Sequence, residues 1–592
     1  MKPINPWYLS GRVRRWLIGA VLGLSTLAGI PVASAAISVR VSIQGLDAEL
    51  EQNARLLLSV EQQKNHDLLD EGRLRRLHQK AEAEIEQALQ PFGYYRPSIT
   101  GKLSRIDALN WLASYTVDPG SPLTISEFDL QVNTGLREDN VFATYLDALP
   151  LAVGATFHHG RYESIKSELL RIAAERGYFD ARFKQNRVAI DLQSYQARVT
   201  LAFDSGARYN FGEISISQDI LQPELMERYV DFERGTPYRF DHLVSLRQAL
   251  TNSDFFQTVE VSPGEPVRDT REVPVEVVVT PRKPNRYTLG LGYGTDTGAR
   301  TSLGWARPII NSSGHSFRSE LDLSEIGYSL QAFYSVPVLN PRTDRLVYSA
   351  GIIDEETDTS DSKIETIGVS LERGRKQWRE TLSLEYQLED YEVADTRDRS
   401  ELLIPGVSWS RTWGSDLIST LNGLRFDLSI QGAREELLSD ANFIQVQGGI
   451  KFIKNLDASS RLIARGRMGS TWTSDFEDLP SSVRFFTGGA QSVRGYAYQS
   501  LGPENEDGEV EGGEHLMIGS LELDRRIKGN WSLAVFVDGG NAINSLGDDL
   551  ERSVGFGVRW QSPVGPVRVD LASAISRSGD PWRLHINIGP DL

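Results

Sequence analysis

From Arg286 to Leu592 the chain alternates between apolar and polar residues with a period of two. Stretches 382–388, 424–430, 567–571 and 582–588 each carry apolar side chains at every second position. This is the period of a β-strand with one apolar and one polar face. Two packed soluble sheets could show the same pattern, but here it recurs without helices to cover the apolar faces. The pattern therefore favours strands that face lipid on one side and a wet lumen on the other.

Sixteen such strands are predicted, the first at 286–294 and the last at 580–589. Many run for ten residues or more, which is enough for a tilted strand to cross a bilayer. In lipid, an open sheet edge would leave backbone amides without partners at a cost of several kcal/mol each. The even number and this cost together predict a closed, antiparallel, transmembrane β-barrel of sixteen strands.

Residues 36–282 contain an internal repeat that precedes the barrel. In each copy a helical stretch ends at an aromatic pair, which is Tyr94-Tyr95, Tyr178-Phe179 or Phe255-Phe256, and strands follow. The repeat predicts three small α+β units at 36–120, 121–205 and 206–282. An open strand edge on such a unit could pair with an extended segment of a client protein.

Residues 1–35 are typical of a signal peptide. Three arginines precede an apolar stretch at 16–30, and Ala33-Ser34-Ala35 supplies the small residues of a cleavage site. An uncleaved anchor is the alternative, which the short apolar stretch disfavours. Export together with a barrel predicts the outer membrane of a Gram-negative bacterium, with residues 36–282 in the periplasm.

Composition narrows the chemistry that the chain could perform. It has 592 residues, no cysteine and a formal net charge of −17, which argues against disulfides, thiolate metal sites and nucleic acid as a partner. The mean hydropathy of −0.31 is compatible with a barrel, because half of each strand is polar. The eight histidines are scattered and no catalytic motif stands out. We therefore expect no enzyme activity, no cofactor and no metal.

The longest connection between predicted strands, at about 472–512, carries the motif Val493-Arg494-Gly495-Tyr496. Glycines in and before this motif allow tight turns, so the loop can fold back compactly. Its arginine would then need an anion inside the barrel. Alternation places Asp538 and Glu522 on the inner faces of nearby strands. The pattern alone leaves open whether these acids bind the arginine or are ordinary pore-lining charges.

These residues resemble the signature of the superfamily that includes BamA, TamA and the two-partner secretion transporters. The resemblance rests on the 493–496 motif, the stretch Phe536-Val537-Asp538-Gly539-Gly540 and the inward Glu522. It implies periplasmic polypeptide-transport-associated (POTRA) domains, a sixteen-stranded barrel and a sixth loop inserted in the lumen. It also implies that Arg494 binds Asp538 as its principal partner and Glu522 as a second wall acid.

Three units before the barrel, and the phrases at 563–567 and 588–592, are similar to the TamA branch, the outer-membrane subunit of the translocation and assembly module. That likeness implies an insertase for autotransporters and other β-barrel clients in outer-membrane lipid. It further implies a TamB-like partner anchored in the inner membrane. A two-partner-type pore that secretes a polypeptide through the lumen is the main alternative, and a passive channel is a weaker one.

The seam between the first and last strands is the predicted place of action. Glycines weaken the inner face of the first strand, and Pro581 and Pro590 shorten the last strand. The predicted seam residues are Tyr287, Leu289, Gly290, Leu291, Gly292, Leu584, Ile586 and Ile588. We expect this seam to open and expose an edge for a client strand, and a disulfide between cysteines at Gly290 and Ile586 to lock it.

Overall fold

The structure is a computed structural model that describes residues 37–66, 68–414, 422–562, 565–577 and 582–588. The chain divides into two compact units. One contains the residues up to Ala174 together with Asp180–Gly206, and the other contains Glu175–Phe179 together with the chain from Ala207 onward. The predicted signal peptide, Pro581 and Pro590 lie outside the described residues.

The first compact unit contains two α+β folds. The elements of the first fold are β1 (Ser38–Gln44), α1 (Ala48–Leu57), α2 (Ser59–Gln63), α3 (Glu71–Leu89), β2 (Ser98–Arg105) and β3 (Asn110–Asp118). Those of the second are β4 (Thr124–Val132), α4 (Asn140–Asp147), α5 (His159–Glu175, which extends one residue into the second compact unit), β5 (Arg182–Asp191) and β6 (Gln196–Asp204). In each sheet the last strand lies in the middle and pairs in parallel with the first strand.

Helix α3 shows why these folds form. The side chain of Asp70 caps its N-terminus by accepting a 2.6 Å hydrogen bond from the backbone of Arg73. Leu74, Ala81 and Ile85, spaced for one helix face, are buried in the core that covers the sheet. The two folds meet where the backbone N–H of Leu123 donates to the carbonyl of Gly93 at 2.8 Å.

The second compact unit contains the third α+β fold and the barrel. The elements of the third fold are β7 (Asn210–Ser217), α6 (Pro223–Glu227), α7 (Phe240–Asn252), β8 (Phe256–Pro263) and β9 (Glu272–Pro281). Its Tyr229 is buried, which raises the pKa of the phenol to about 12, and the hydroxyl donates to the carbonyl of Pro341 at 3.0 Å. Residues 308–315 and 338–344 are the barrel turns that this fold contacts. No described helix has both the length and the apolar character needed to cross a membrane.

The barrel consists of consecutive antiparallel hairpins. Its strands are β10 (Arg286–Gly294), β11 (Gly298–Arg307), β12 (Ser316–Ser324), β13 (Gly327–Pro337), β14 (Arg345–Glu356), β15 (Ser360–Arg375), β16 (Trp378–Val393), β17 (Thr396–Gly414), β18 (Gly423–Ala433), β19 (Phe443–Asn455), β20 (Ser460–Thr473), β21 (His515–Lys528), β22 (Trp531–Ile543), β23 (Glu551–Ser562), β24 (Gly565–Ala574) and β25 (Arg583–Ile588). The predicted fold class, a sixteen-stranded antiparallel barrel preceded by three α+β folds, is confirmed.

The seam is the junction between the first strand of the barrel, β10, and the last, β25. Among the described residues, one backbone hydrogen bond crosses it, from Thr295 to the carbonyl of Ile586 at 3.3 Å, and the Thr295 hydroxyl accepts from the Ile586 N–H at 3.3 Å. Ile586 therefore lies opposite Thr295. Gly290 is five residues earlier on the strand, roughly 17 Å away. The expected disulfide between Gly290 and Ile586 is wrong, because bridged Cα atoms lie within about 7 Å.

Candidate functional site

The connection between β20 and β21, residues 474–514, folds back compactly, and we call it the inserted loop. Isolated β-bridges join Phe485 to Gly513 and Thr487 to Leu501. The buried guanidinium of Arg484 donates to the carbonyls of Leu479, Glu477 and Glu511 at 2.7, 2.9 and 3.1 Å. The loop therefore has internal structure that fixes the position of its 493–496 motif.

Arg494 lies in the barrel interior with 2% of its surface exposed. Its Nε donates to Asp538 Oδ2 at 2.7 Å and its Nη2 to Asp538 Oδ1 at 2.8 Å, a two-pronged arrangement of guanidinium and carboxylate. The backbone N–H of Arg494 also donates to Asp538, at 3.2 Å. The guanidinium carbon lies 3.3 Å from the centroid of the Phe536 ring. Asp538 on the barrel wall thus binds both the guanidinium and the backbone of Arg494, and the Phe536 ring packs against the guanidinium.

Three further charged residues complete the site. Arg494 Nη1 donates to Glu522 Oε2 at 2.6 Å and to Asp570 Oδ2 at 3.2 Å. Arg559, on β23, bridges the same two acids, with 2.8 Å to Glu522 Oε1 and 2.5 Å to Asp570 Oδ1. We call these five residues, Arg494, Arg559, Glu522, Asp538 and Asp570, the buried charge network. It joins the inserted loop to β21, β22, β23 and β24.

The network keeps Arg494 charged despite its burial. Burial by itself would lower the pKa of the guanidinium, but its hydrogen bonds to Asp538 and the charges of Asp538, Glu522 and Asp570 raise the pKa above its ordinary value. Removing one member of such a buried set leaves an uncompensated charge, which costs about 3–5 kcal/mol. The arrangement serves to hold the loop.

The residues beside Arg494 fit the same wall. Gly495 has a φ of +96°, and an added Cβ would lie 3.1 Å from the backbone nitrogen of Ala574. Only glycine meets both conditions without strain. Val493 is buried with Leu501, and the Tyr496 hydroxyl donates to Glu551 Oε2 at 2.9 Å. The whole motif is in contact with the wall.

Glu389 on β16 provides a second attachment for the inserted loop. Its carboxylate is 1% exposed and accepts from the Ser481 hydroxyl at 2.6 Å, from the Ser482 N–H at 3.2 Å and from the Ser482 hydroxyl. From the wall it also accepts from Ser362 at 2.9 Å and Gln387 at 3.0 Å. The loop is therefore attached to the wall at two separate places.

Tyr498 adds a third contact. Burial, together with the charge of Glu355, raises the pKa of Tyr498 to about 12, so the phenol stays protonated and donates to Glu355 Oε1 at 3.2 Å. Glu355 belongs to β14, which lies on another part of the wall. The three contacts together fix the loop across the lumen.

The predicted seam residues lie on β10 and β25. Tyr287, Leu289, Leu291 and Leu584 are exposed on the outer face, Leu291 to 76%. Ile586 and Ile588 are partly exposed. A Cβ added at Gly290 would meet the side chain of Ser302, and one added at Gly292 would meet the side chain of Arg300.

Sequence reasoning missed Asp570, Arg559 and Glu389. Alternation puts each of them on an inner face, which is the only signal the sequence offers. Their partners lie far along the chain: 76 residues separate Arg494 from Asp570, and 92 separate Glu389 from Ser481. Neither periodicity nor spacing identifies such pairs.

Comparisons with protein families agree with this geometry. Residues 283–591, more than half of the chain, match the model of the Omp85 superfamily domain. Residues 40–119 match the model described as POTRA domain TamA domain 1. Both matches fall on parts of the chain described above, the barrel and the first α+β fold.

Individual curated relatives share limited sequence identity with the chain, over part of its length. The chain is 26% identical over 361 residues to outer membrane protein assembly factor BamA of Nitratidesulfovibrio vulgaris, which covers 54% of this chain and 43% of that one. It is 32% identical over 117 residues to outer envelope protein 80, chloroplastic, of Arabidopsis thaliana, covering 18% and 14% of the two chains. The chain thus spans less than half the length of either curated relative.

Among solved structures, BamA from Haemophilus ducreyi lacking POTRA domains 1–3 has the same fold. The TM-score is 0.65 at 19% identity, and the match covers 79% of this chain and 99% of the other. The barrel architecture, the buried charge network on the inserted loop and the match over residues 283–591 lead to one conclusion. The chain belongs to the Omp85 superfamily.

Proposed function

We propose that this protein assembles β-barrel proteins, autotransporters among them, in the outer membrane of a Gram-negative bacterium. Membership of the Omp85 superfamily and the similarity to a BamA assembly factor support the proposal. In it, the three α+β folds lie in the periplasm, where they receive clients and a TamB-like partner anchored in the inner membrane. The match of residues 40–119 to a TamA-type POTRA domain supports the TamA branch.

The observation that carries the proposal is the seam. Among the described residues, a single backbone hydrogen bond joins the first hairpin to β25, from Thr295 to the carbonyl of Ile586 at 3.3 Å. A strand edge with so few bonds of its own offers N–H and C=O groups on which an incoming strand could form a ladder. The first client strand would pair there while the seam parts, and the weakened bilayer beside it would lower the barrier to insertion.

A locked seam tests this mechanism. Because the chain has no cysteine, T295C and I586C would form a single disulfide across the seam. The matched control is L321C with L330C, which cross-links two outward residues that are already partners between β12 and β13. Each protein is reconstituted in vesicles with an unfolded autotransporter barrel as client, and folded client is measured by its altered electrophoretic mobility without heating.

We expect insertion by the T295C/I586C protein to fall to the level of empty vesicles when oxidised and to recover on reduction. The L321C/L330C control should insert clients equally well in both states. Full insertion with the seam oxidised would contradict lateral opening.

The alternative is a two-partner-type pore that exports a polypeptide through the lumen. The same seam-locked protein separates the two functions, because a lumen route does not require the seam to part. Export of a soluble passenger through oxidised T295C/I586C protein, without barrel insertion, would favour the pore. We favour the assembly function because the inserted loop crosses the lumen and is attached to the wall at Asp538, Glu389 and Glu355.

A further inference from the structure

We propose that the inserted loop is a clasp that holds the seam shut, with Asp296 and His585 as its positioning residues. Asp296 lies in the turn between β10 and β11, and His585 lies on β25, so the two residues stand on opposite sides of the seam. Each also contacts the inserted loop. This inference rests on the assembly function proposed above and adds the means by which its seam is controlled.

The first half of the clasp is Asp296. Its Oδ2 accepts a 2.7 Å hydrogen bond from the backbone N–H of Ala490 in the inserted loop, and its side chain is only 14% exposed. The neighbouring Gly489 has a φ of +99°, and an added Cβ would lie 2.7 Å from Asp296 Oδ2. The loop therefore approaches this carboxylate as closely as its backbone allows. The first hairpin of the barrel is bound to the loop at this point.

The second half is His585, which is 2% exposed. Its Nε2 accepts a 2.9 Å hydrogen bond from the backbone N–H of Gly495, next to Arg494. An accepting Nε2 places the proton of the neutral ring on Nδ1. That atom faces Asp296 Oδ1 at 3.7 Å, across the seam. His585 thus binds the last strand to the inserted loop, and its Nδ1 faces the first hairpin.

The clasp adds contacts to a seam that has one backbone hydrogen bond among its described residues. Adjacent barrel strands elsewhere are joined by ladders of paired residues, with one register shift at Arg526–Lys528 between β21 and β22, whereas the described part of this seam has the Thr295–Ile586 contact. Arg494 fixes the loop to β21, β22 and β24, and Ala490 and Gly495 extend that attachment to the turn after β10 and to β25. For β10 and β25 to separate, the loop must release Asp296 or His585. Movement of the loop and opening of the seam are therefore one coupled change.

Distance measurements across the seam test the clasp. Spin labels on L303C and V554C, outward residues of β11 and β23, flank the seam without touching the clasp. Double electron–electron resonance on the purified protein in bilayers should give one narrow distance. With D296A added, we expect a second population that is longer by at least one strand spacing, about 5 Å. The control is D358A, which removes an exposed acid from the turn between β14 and β15 and should leave the distance unchanged.

Two further variants keep the test decisive. G489A disturbs the same contact from the loop side and should also open the seam, even where D296A fails to fold. D296N keeps an oxygen that can accept from Ala490, so it should stay closed; opening as wide as in D296A would contradict the role assigned to that oxygen. An unchanged distance in both D296A and G489A would overturn the clasp.

The result is independent of client assembly. Suppose that the distance across the seam is unchanged in D296A and G489A while the T295C/I586C disulfide still blocks client insertion. The clasp is then wrong, and the proposed assembly function is supported. If the clasp variants open the seam but client insertion takes place even with the seam locked, the proposed route fails and the clasp stands.

Discussion

Arg494 is the residue on which the position of the inserted loop most depends. It donates to Asp538, Glu522 and Asp570, which are buried on three different strands. Because these carboxylates are already out of water, the cost of losing the arginine is mainly the cost of leaving Asp538 without a cation, since Glu522 and Asp570 keep Arg559. Arginine is required rather than lysine, since only a planar guanidinium makes two parallel bonds to Asp538 while reaching the other acids.

R494A should therefore destabilise the protein by about 3–5 kcal/mol and release the loop. The measurements are thermal unfolding in detergent and the rate of protease cleavage within 474–514. The control is R399A, which removes a 59% exposed arginine paired with Asp390 on the neighbouring strand and should cost about 0–1 kcal/mol. R494K should lie between the two. An R494A protein with wild-type stability and a protected loop would show that the network does not hold the loop.

The inserted loop, as an element, is attached to the wall at three places, and of these Glu389 on β16 lies the most strands away from the seam. Its carboxylate accepts from Ser481, Ser482, Ser362 and Gln387, so all of these donors lose a strong acceptor together if it is replaced. E389Q should cost about 1–3 kcal/mol, since an amide presents an N–H to some of the same donors.

The effect of E389Q should be local. Hydrogen exchange is expected to become faster at residues 481–483 and to remain slow near Arg494, because the buried charge network is untouched. E385Q, on the same strand and face, is the matched control and should leave exchange at 481–483 unchanged. Equal protection of this segment in E389Q and the wild-type protein would remove Glu389 as an anchor.

The elements themselves were largely predictable from sequence, whereas their attachments were not. Alternation along each strand reflects a local cause, lipid on one side and water on the other, so β10 was predicted with its observed bounds of 286–294. β17 runs from 396 to 414, farther than alternation alone indicates, because its ladder with β16 extends to Thr396 and its ladder with β18 extends to Gly414. The contacts of Glu389 and His585 depend on the path of the inserted loop through the lumen, and a local sequence pattern does not predict that path.

At the scale of the whole molecule, the third α+β fold and the barrel form one compact unit, while the first two folds form another. The contact that joins the third fold to the barrel is specific. Asp231 pairs with Arg342 at 2.6 Å, and the Tyr229 hydroxyl donates to the carbonyl of Pro341. Gly314 in a neighbouring turn has a φ of +76°, and an added Cβ would lie 2.6 Å from Leu225. The fold nearest the barrel is therefore docked on its turns.

This docking predicts how Y229F should behave. Phenylalanine keeps the packing but leaves the carbonyl of Pro341 without its donor, at a cost of about 1 kcal/mol, which is roughly fivefold in a local opening equilibrium. Hydrogen exchange at residues 338–344 should accelerate by that factor. Y238F makes the same change at a buried tyrosine that packs on Phe179 and Phe211, away from these turns, and should not affect them. If Y229F and Y238F gave the same exchange at 338–344, the hydroxyl would have no part in docking the third fold on the barrel turns.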